Sequence, residues 1–165
     1  MTTEKQHHFA ILAPVPLEHL ISGQEVSDSK GEVAFGSMKW EFFQKLDADR
    51  DGQPIPVLIY PSYDQSDKLP GCIVSWYGEY VRCVASKNGR HPDQMEFRPE
   101  STEQYKADNA GHWAVFWHIK GLKQLPANKH IPIGKLQTVK GGWRKDAPPR
   151  GPELVALPEI LTGEF

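Results

Sequence analysis

The apolar residues of this 165-residue chain fall into short blocks, and the spacing inside each block predicts its conformation. HHFAILAP (7–14) reads as an opening strand. Pro16 then starts a short helix, because a proline in the first turn has no N–H to leave unpaired. Leu17, Leu20 and Ile21 share one face of that helix, and Gly23 is its expected stop. SDSKGE (27–32) is a predicted loop, and Ser37 is placed to cap a second helix, MKWEFFQKL.

Beyond residue 53 the pattern changes to strands. PIPVLIYPS (54–62) is β-branched and aromatic between prolines. After the loop SYDQSDKLPG comes CIVSWYGEYVRCVA (72–85), the longest candidate strand, where Gly78 predicts a bulge or a close backbone approach. SKNGRHPDQ is a loop, and Ser101 with Gln104 forms a capping box for a short polar helix. HWAVFWHIKGL (112–122) alternates cleanly: Trp113, Val115, Trp117 and Ile119 on one face, Ala114, Phe116, His118 and Lys120 on the other. IPIGKLQTV is a short element, KGGWRKDAPPRGP is irregular, and the tail ELVALPEIL is apolar enough to dock back. Strands broken by about three short helices, without regular β–α alternation, predict an α+β fold: a small mixed, partly open β-barrel. One domain spanning 1–165 is expected, with 141–165 its basic segment and docking tail.

One stretch invites a different reading. In KLDADRDGQPIPVL, Asp47, Asp49 and Asp51 alternate ahead of Gly52, as in the calcium loop of an EF-hand. Such a loop needs a bidentate carboxylate at its twelfth position, which is Leu58 here, and Pro54 and Pro56 forbid the exit helix. The segment reads as a helix-to-strand turn.

Composition narrows the classes. No run of about 18 apolar residues is present, so no membrane partner is expected, and no basic leader precedes an apolar core. Cys72 and Cys83 match no zinc spacing and read as free thiols, pointing to the cytoplasm. No phosphate-loop, G-x-S-x-G or H-E-x-x-H motif occurs, so no cofactor, metal or catalytic residue is assigned. The net charge of −2 hides an asymmetry: between Lys129 and Arg150 six cations meet one acid, Asp146. A basic stripe on an otherwise acidic chain suggests an anionic partner; a solvated loop is the plainer reading, and both stay open.

The element order has a parallel. A helix and turn, a strand ending at Tyr60-Pro61-Ser62, a strand opening at Gly71, the Pro92-Asp93 loop, a strand led by Trp113 and a short closing element together resemble the EVE domain of the PUA-like superfamily. PLEHLISG resembles the first helix of the related ASCH domains. The likeness spans roughly residues 8 to 140; the Gly-Asp of EVE domains appears as Asp51-Gly52-Gln53, and GGWRKDAPPRGP has no counterpart.

The resemblance implies a partly open barrel that binds nucleic acid, RNA or modified DNA, through a nucleobase held in an aromatic cleft, as EVE and YTH domains do. Base recognition needs flat rings and a few polar groups. The expected base-binding residues are Ser37, Lys39, Trp40, Ser75, Tyr77 and Trp143, with Trp113 and Trp117 assigned to the core. Lys140, Arg144, Lys145 and Arg150 are the expected phosphate contacts. Two alternatives remain: an ASCH-like nucleoside- or RNA-processing hydrolase, with Lys39 and Glu41 as its nearest candidate pair, or a protein-interaction module.

Overall fold

The computed structural model describes residues 8–62, 72–104, 113–144 and 151–165. Gly71, His112, Lys145, Asp146 and Arg150 lie outside these, with the expectations attached to them. The order is β1 (Phe9–Pro16), α1 (Leu17–Lys30), β2 (Val33–Ser37), α2 (Trp40–Asp49), β3 (Ile55–Ser62), β4 (Ile73–Val74), β5 (Trp76–Ala85), β6 (Val115–Gln124), β7 (Ile131–Pro132) and β8 (Glu153–Ala156). Short 3-10 helices sit at Glu100–Gln104, Ala127–Lys129, Ile133–Lys135 and Glu159–Glu164. The main sheet runs β2-β6-β5-β3-β1-β8 and curls into a half-barrel. It is mixed, since β1 and β3 are parallel while every other neighbour is antiparallel.

Both faces of the central strands are buried, which is why β1 and β3 are almost continuously apolar. Ile11, Ala13 and Val15 point into the half-barrel with Ile55, Val57, Ile59, Trp76, Val115, Trp117 and Ile119. Ala10, Leu12, Leu58 and Tyr60 face the other way, under Val155, Leu161 and the 131–136 segment. The tail docks as the sequence implies: β8 pairs with β1 from Phe9 to Leu12, and Leu161 is fully buried.

α1 does not stop at Gly23. It runs to Lys30 and ends where Gly31, at φ 85°, donates its N–H to Ser27 O at 2.9 Å, an ordinary left-handed cap. Gly23 is instead a contact surface, because a Cβ there would meet Phe35, Val33 and Leu122 at 3.3–3.4 Å. The missing side chain lets the helix lie flat on β2 and β6. Ser27, expected in a loop, is buried and accepts the Leu122 N–H at 3.2 Å. β2, which the sequence pattern leaves unassigned, is the strand this helix covers.

The aspartate segment is the turn from α2 into β3, with Asp51 and Gly52 at positive φ. Asp47 has a structural task there, accepting from Tyr80 Oη at 2.8 Å and from Arg50 Nε at 2.7 Å. Tyr80 is fully buried and its hydroxyl is pushed upward in pKa by burial and by that hydrogen bond.

Gly78 marks an irregularity, as the sequence suggests. The pairing of β5 with β6 slips between Tyr77 and Glu79, and a Cβ at 78 would sit 2.4 Å from Ile119 Cγ2. Gly78→Ala forces this overlap in the core and is expected to lower stability by about 1–3 kcal/mol. A urea titration checks it, and an unchanged midpoint would contradict the packing described.

Candidate functional site

The half-barrel stays open along one seam, and the seam holds a cleft of about 550 Å3. β8 stops pairing at Leu12, so among the described residues the Ala13–Pro16 end of β1 has no strand partner on that side. Pro14 and Pro16 blunt the edge by carrying no N–H. Across the gap lies β2, the other edge of the sheet. Residues from both edges line the cleft, together with His19 of α1, Arg98 and Thr102.

Backbone alternation decides what β2 presents there. Ala34 N donates to Phe97 O at 2.7 Å and Ala34 O accepts from Arg98 Nη1 at 2.8 Å, so residue 34 points away from β6. Ser37 O accepts from Ala114 N and points towards it. Two residues on from Ala34, Gly36 repeats its direction and turns its N–H and C=O into the seam. The upper edge of β2 is thus covered by the 97–98 backbone and the Arg98 guanidinium, while its lower edge is left for the cleft.

Gly36 also fixes the principal ring. A Cβ at 36 would lie 2.4–2.7 Å from three atoms of the Trp113 indole, so the ring packs directly against the bare backbone of β2. Trp113, expected in the core, is half-buried and forms a cleft wall. Trp117 and Phe35 form the nearly buried floor, at 3% and 5% exposure. The floor continues inward as an aromatic ladder: Phe35–Trp117 and Trp117–Phe43 centroids are 5.7 Å apart, and Phe43 stacks on Tyr80 at 5.5 Å. At one end the exposed Lys39 lays its stem over Gly151, where a Cβ would meet its Cε at 3.0 Å.

Of the expected base-binding residues, the structure brings Ser37 and Lys39 into this cleft, with Ser37 Oγ accepting the Lys39 N–H at 3.0 Å. Trp40 opens α2 immediately after Lys39 and is half-exposed, but it is not among the cleft walls. Ser75 and Tyr77 belong elsewhere. Ser75 is buried between β4 and β5, bonded through its backbone to Ile59 and Leu125. Tyr77 packs edge-on against Phe165 under the tail, because its strand parity sends it to the outer face. Trp143 is 69% exposed on a hairpin whose Gln137 and Trp143 are bridged, and it does not line the cleft.

The basic segment is partly neutralised from within. Arg144 pairs with Glu153 and its side chain is 9% exposed, and Lys129 pairs with Glu164. Both ion pairs fasten the C-terminal tail. Lys140 is exposed. His19, Arg98, Thr102 and Gly36 are cleft residues that the sequence pattern does not reveal; each comes from a different element, and no spacing links them.

Behind the cleft, the outer face of β6 carries a buried polar array. Asp93 N donates to His91 Nδ1 at 2.9 Å, so the proton of neutral His91 sits on Nε2. That proton is given to His118 Nε2, 2.9 Å away, which leaves the His118 proton on Nδ1, 3.3 Å from Glu32 Oε1. This last pair lies close but makes no hydrogen bond, so the buried His118 Nδ1 has no hydrogen-bond partner among the described residues. Glu32 also accepts from Arg82 Nε at 3.0 Å. Burial, the Arg82 charge and His91 push the His118 imidazole down to about 3; burial lowers His91 as well. The array holds the 91–98 segment, and hence Arg98, against the sheet.

Compared with known proteins, the chain matches no family model and no curated protein sequence. Its reading therefore rests on its own geometry.

The histidine array makes stability depend on pH in a defined direction. His118 is neutral in the folded protein but titrates near its ordinary value of about 6.5 when unfolded. Between those values the unfolded chain binds the extra proton, so stability is full above about pH 6.5 and falls by up to about 1.4 kcal/mol per unit below it. Urea midpoints measured from pH 7.5 to 4.5 should decline accordingly, and His118→Gln, which keeps an acceptor for His91, should flatten the decline.

Proposed function

We propose that this protein is a PUA-like, EVE-type domain that takes an unpaired or extruded nucleobase of a nucleic acid into the seam cleft. The observation that carries the reading is the Trp113 indole seated on Gly36, beside a backbone donor and acceptor turned into the same gap. A base needs a plane to stack on and complementary groups along its edge. Trp113 offers the plane, and the Gly36 N–H and C=O, with Ser37 and Arg98, offer the edge partners. The cleft volume of about 550 Å3 falls within the range of roughly 300–1,000 Å3 usual for small-ligand sites. Lys39 at the rim supplies a cation where the flanking backbone would pass.

The curled mixed sheet and short helices fit the barrel implied by the EVE resemblance, and the motif residue Trp113 leads β6 into the cleft. Neither Cys72 nor Cys83 is in a disulfide, which suits a cytoplasmic setting. Cys83 is held as a thiol, its pKa raised to about 12 by burial and by Asp47. Among the described residues no helix is long and apolar enough to cross a membrane.

Titration of labelled single-stranded RNA and DNA, with and without base modifications, tests the proposal. Trp113→Ala is expected to weaken binding by about 5- to 150-fold, the equivalent of about 1–3 kcal/mol of lost stacking. Circular dichroism guards against an unfolded variant. Unchanged affinity in a folded Trp113→Ala protein, or binding of no oligonucleotide at all, would overturn the reading.

A further inference from the structure

A second cavity, of about 570 Å3, lies at the loop between β5 and β6 and is lined by Lys87, Asn88, Arg90, His91, Pro92, Gln94 and Met95. Its chemistry differs from that of the seam cleft, being polar and cationic. Two of its walls are the flanks of a tight hairpin turn: Lys87 N donates to Arg90 O at 2.8 Å, and Arg90 N to Lys87 O at 3.1 Å. Asn88 and Gly89 between them both have positive φ, 55° and 76°, the conformation of a two-residue hairpin turn.

That geometry sets two cations directly opposite each other. Residues facing across a hairpin pair project to the same side, and like charges placed there repel. Both side chains are exposed, and among the described residues neither enters an ion pair. The contrast with Arg144 and Lys129, each answered by a glutamate, is direct. Asp93 and Glu96 belong to the same loop, but neither lines the cavity. Gln94, also a wall, holds φ at 56°, a conformation uncommon for a side chain of its kind. The turn is fixed rather than adrift: Trp113 N donates to Gly89 O at 3.2 Å, and Ser86 N to Ala114 O at 3.0 Å. Trp113 thus borders the seam cleft with its ring and holds this cationic turn with its backbone.

The geometry points to the 87–94 cavity as a phosphate site, in which Lys87 and Arg90 grip a phosphate group next to the nucleobase bound against Trp113. The identity of the anion rests on the nucleobase reading above; the cation pair and the cavity do not. The phosphate is either a backbone diester of the strand carrying the base or the phosphate ester of a free nucleotide, and the site's chemistry serves both. For a strand, the salt dependence of binding would come largely from this turn, because each phosphate contact on single-stranded nucleic acid adds about 0.7 to the slope of log K against log salt.

Amide chemical shifts of the full chain provide the test. Residues 87–94 are expected to shift on adding a single-stranded oligonucleotide and to remain still on adding the parent nucleoside, which lacks phosphate. Shifts with a nucleoside monophosphate or inorganic phosphate would assign the site to a free phosphate ester; shifts with the oligonucleotide alone would assign it to a strand. Both outcomes support the site, and no shift with any of these probes overturns it. Lys87→Ala combined with Arg90→Ala is expected to lower the salt slope by about 0.7 per cation and to weaken oligonucleotide binding at least tenfold. Nucleoside binding, followed by tryptophan fluorescence, should stay as it was. Trp113→Ala gives the converse pattern, so failure of the phosphate site and failure of the base cleft are told apart. An unchanged slope in the double variant overturns the proposal.

Discussion

The seam cleft exists because the sheet curls but does not close. Open edges are normally a hazard, because they expose unpaired backbone to other chains. Here each edge is managed in two halves. β8 pairs with β1 from Phe9 to Leu12, and Pro14 and Pro16 blunt the rest of that strand. The Phe97 carbonyl and the Arg98 guanidinium satisfy Ala34 on β2, and beyond it Gly36 is left facing the gap. A cleft between two half-protected edges inherits polar backbone from one side and apolar proline rings from the other. Under the proposal above, that combination is what a flat heterocycle with apolar faces and a polar rim would use.

The interior keeps that gap in shape. The aromatic ladder from Tyr80 through Phe43 to Trp117 and Phe35 joins the Asp47 turn to the cleft floor by ring-to-ring contacts of 5.5–5.7 Å. Dense aromatic packing resists small displacements, so a floor built this way holds the shape of the cleft. On the opposite face of β6, the His91–His118–Glu32 array fixes the covering segment by polar contacts instead. One strand therefore carries an apolar face that supports the floor and a polar face that holds the wall.

The sequence made much of this legible where the physics is local. Alternation along 115–119 identified β6 and its inward face, Gly78 flagged the slip in β5, and the prolines at 54 and 56 turned the aspartate segment away from an EF-hand. Three features escaped because they are settled across the fold. Gly23 looks like a helix stop, yet its lack of a side chain serves packing against Phe35 and Leu122. Ser75 and Tyr77 share the face opposite Trp76, as strand parity requires, but which face meets the cleft depends on where the tail docks. Gly36 gives no local sign, since its role exists only once Trp113, 77 residues along the chain, lies upon it.

Charge was the least legible property, because a count along the chain says nothing about partners. The segment from Lys129 to Arg150 has the greatest excess of cations, yet Lys129 and Arg144 are turned inward to Glu164 and Glu153, where they clamp the tail over the outer core. The Lys87–Arg90 turn contributes only two cations and attracts no notice in the sequence. Its charges remain exposed and adjacent, fixed by the backbone to the residue that walls the cleft. Electrostatic attraction for an anion depends on cations that have not already found a carboxylate, and on how closely the fold gathers them. By that measure the stripe is divided among the described residues: Lys129 and Arg144 answer glutamates while Lys135 and Lys140 stay exposed, whereas the short turn beside Trp113 sets both of its exposed cations face to face.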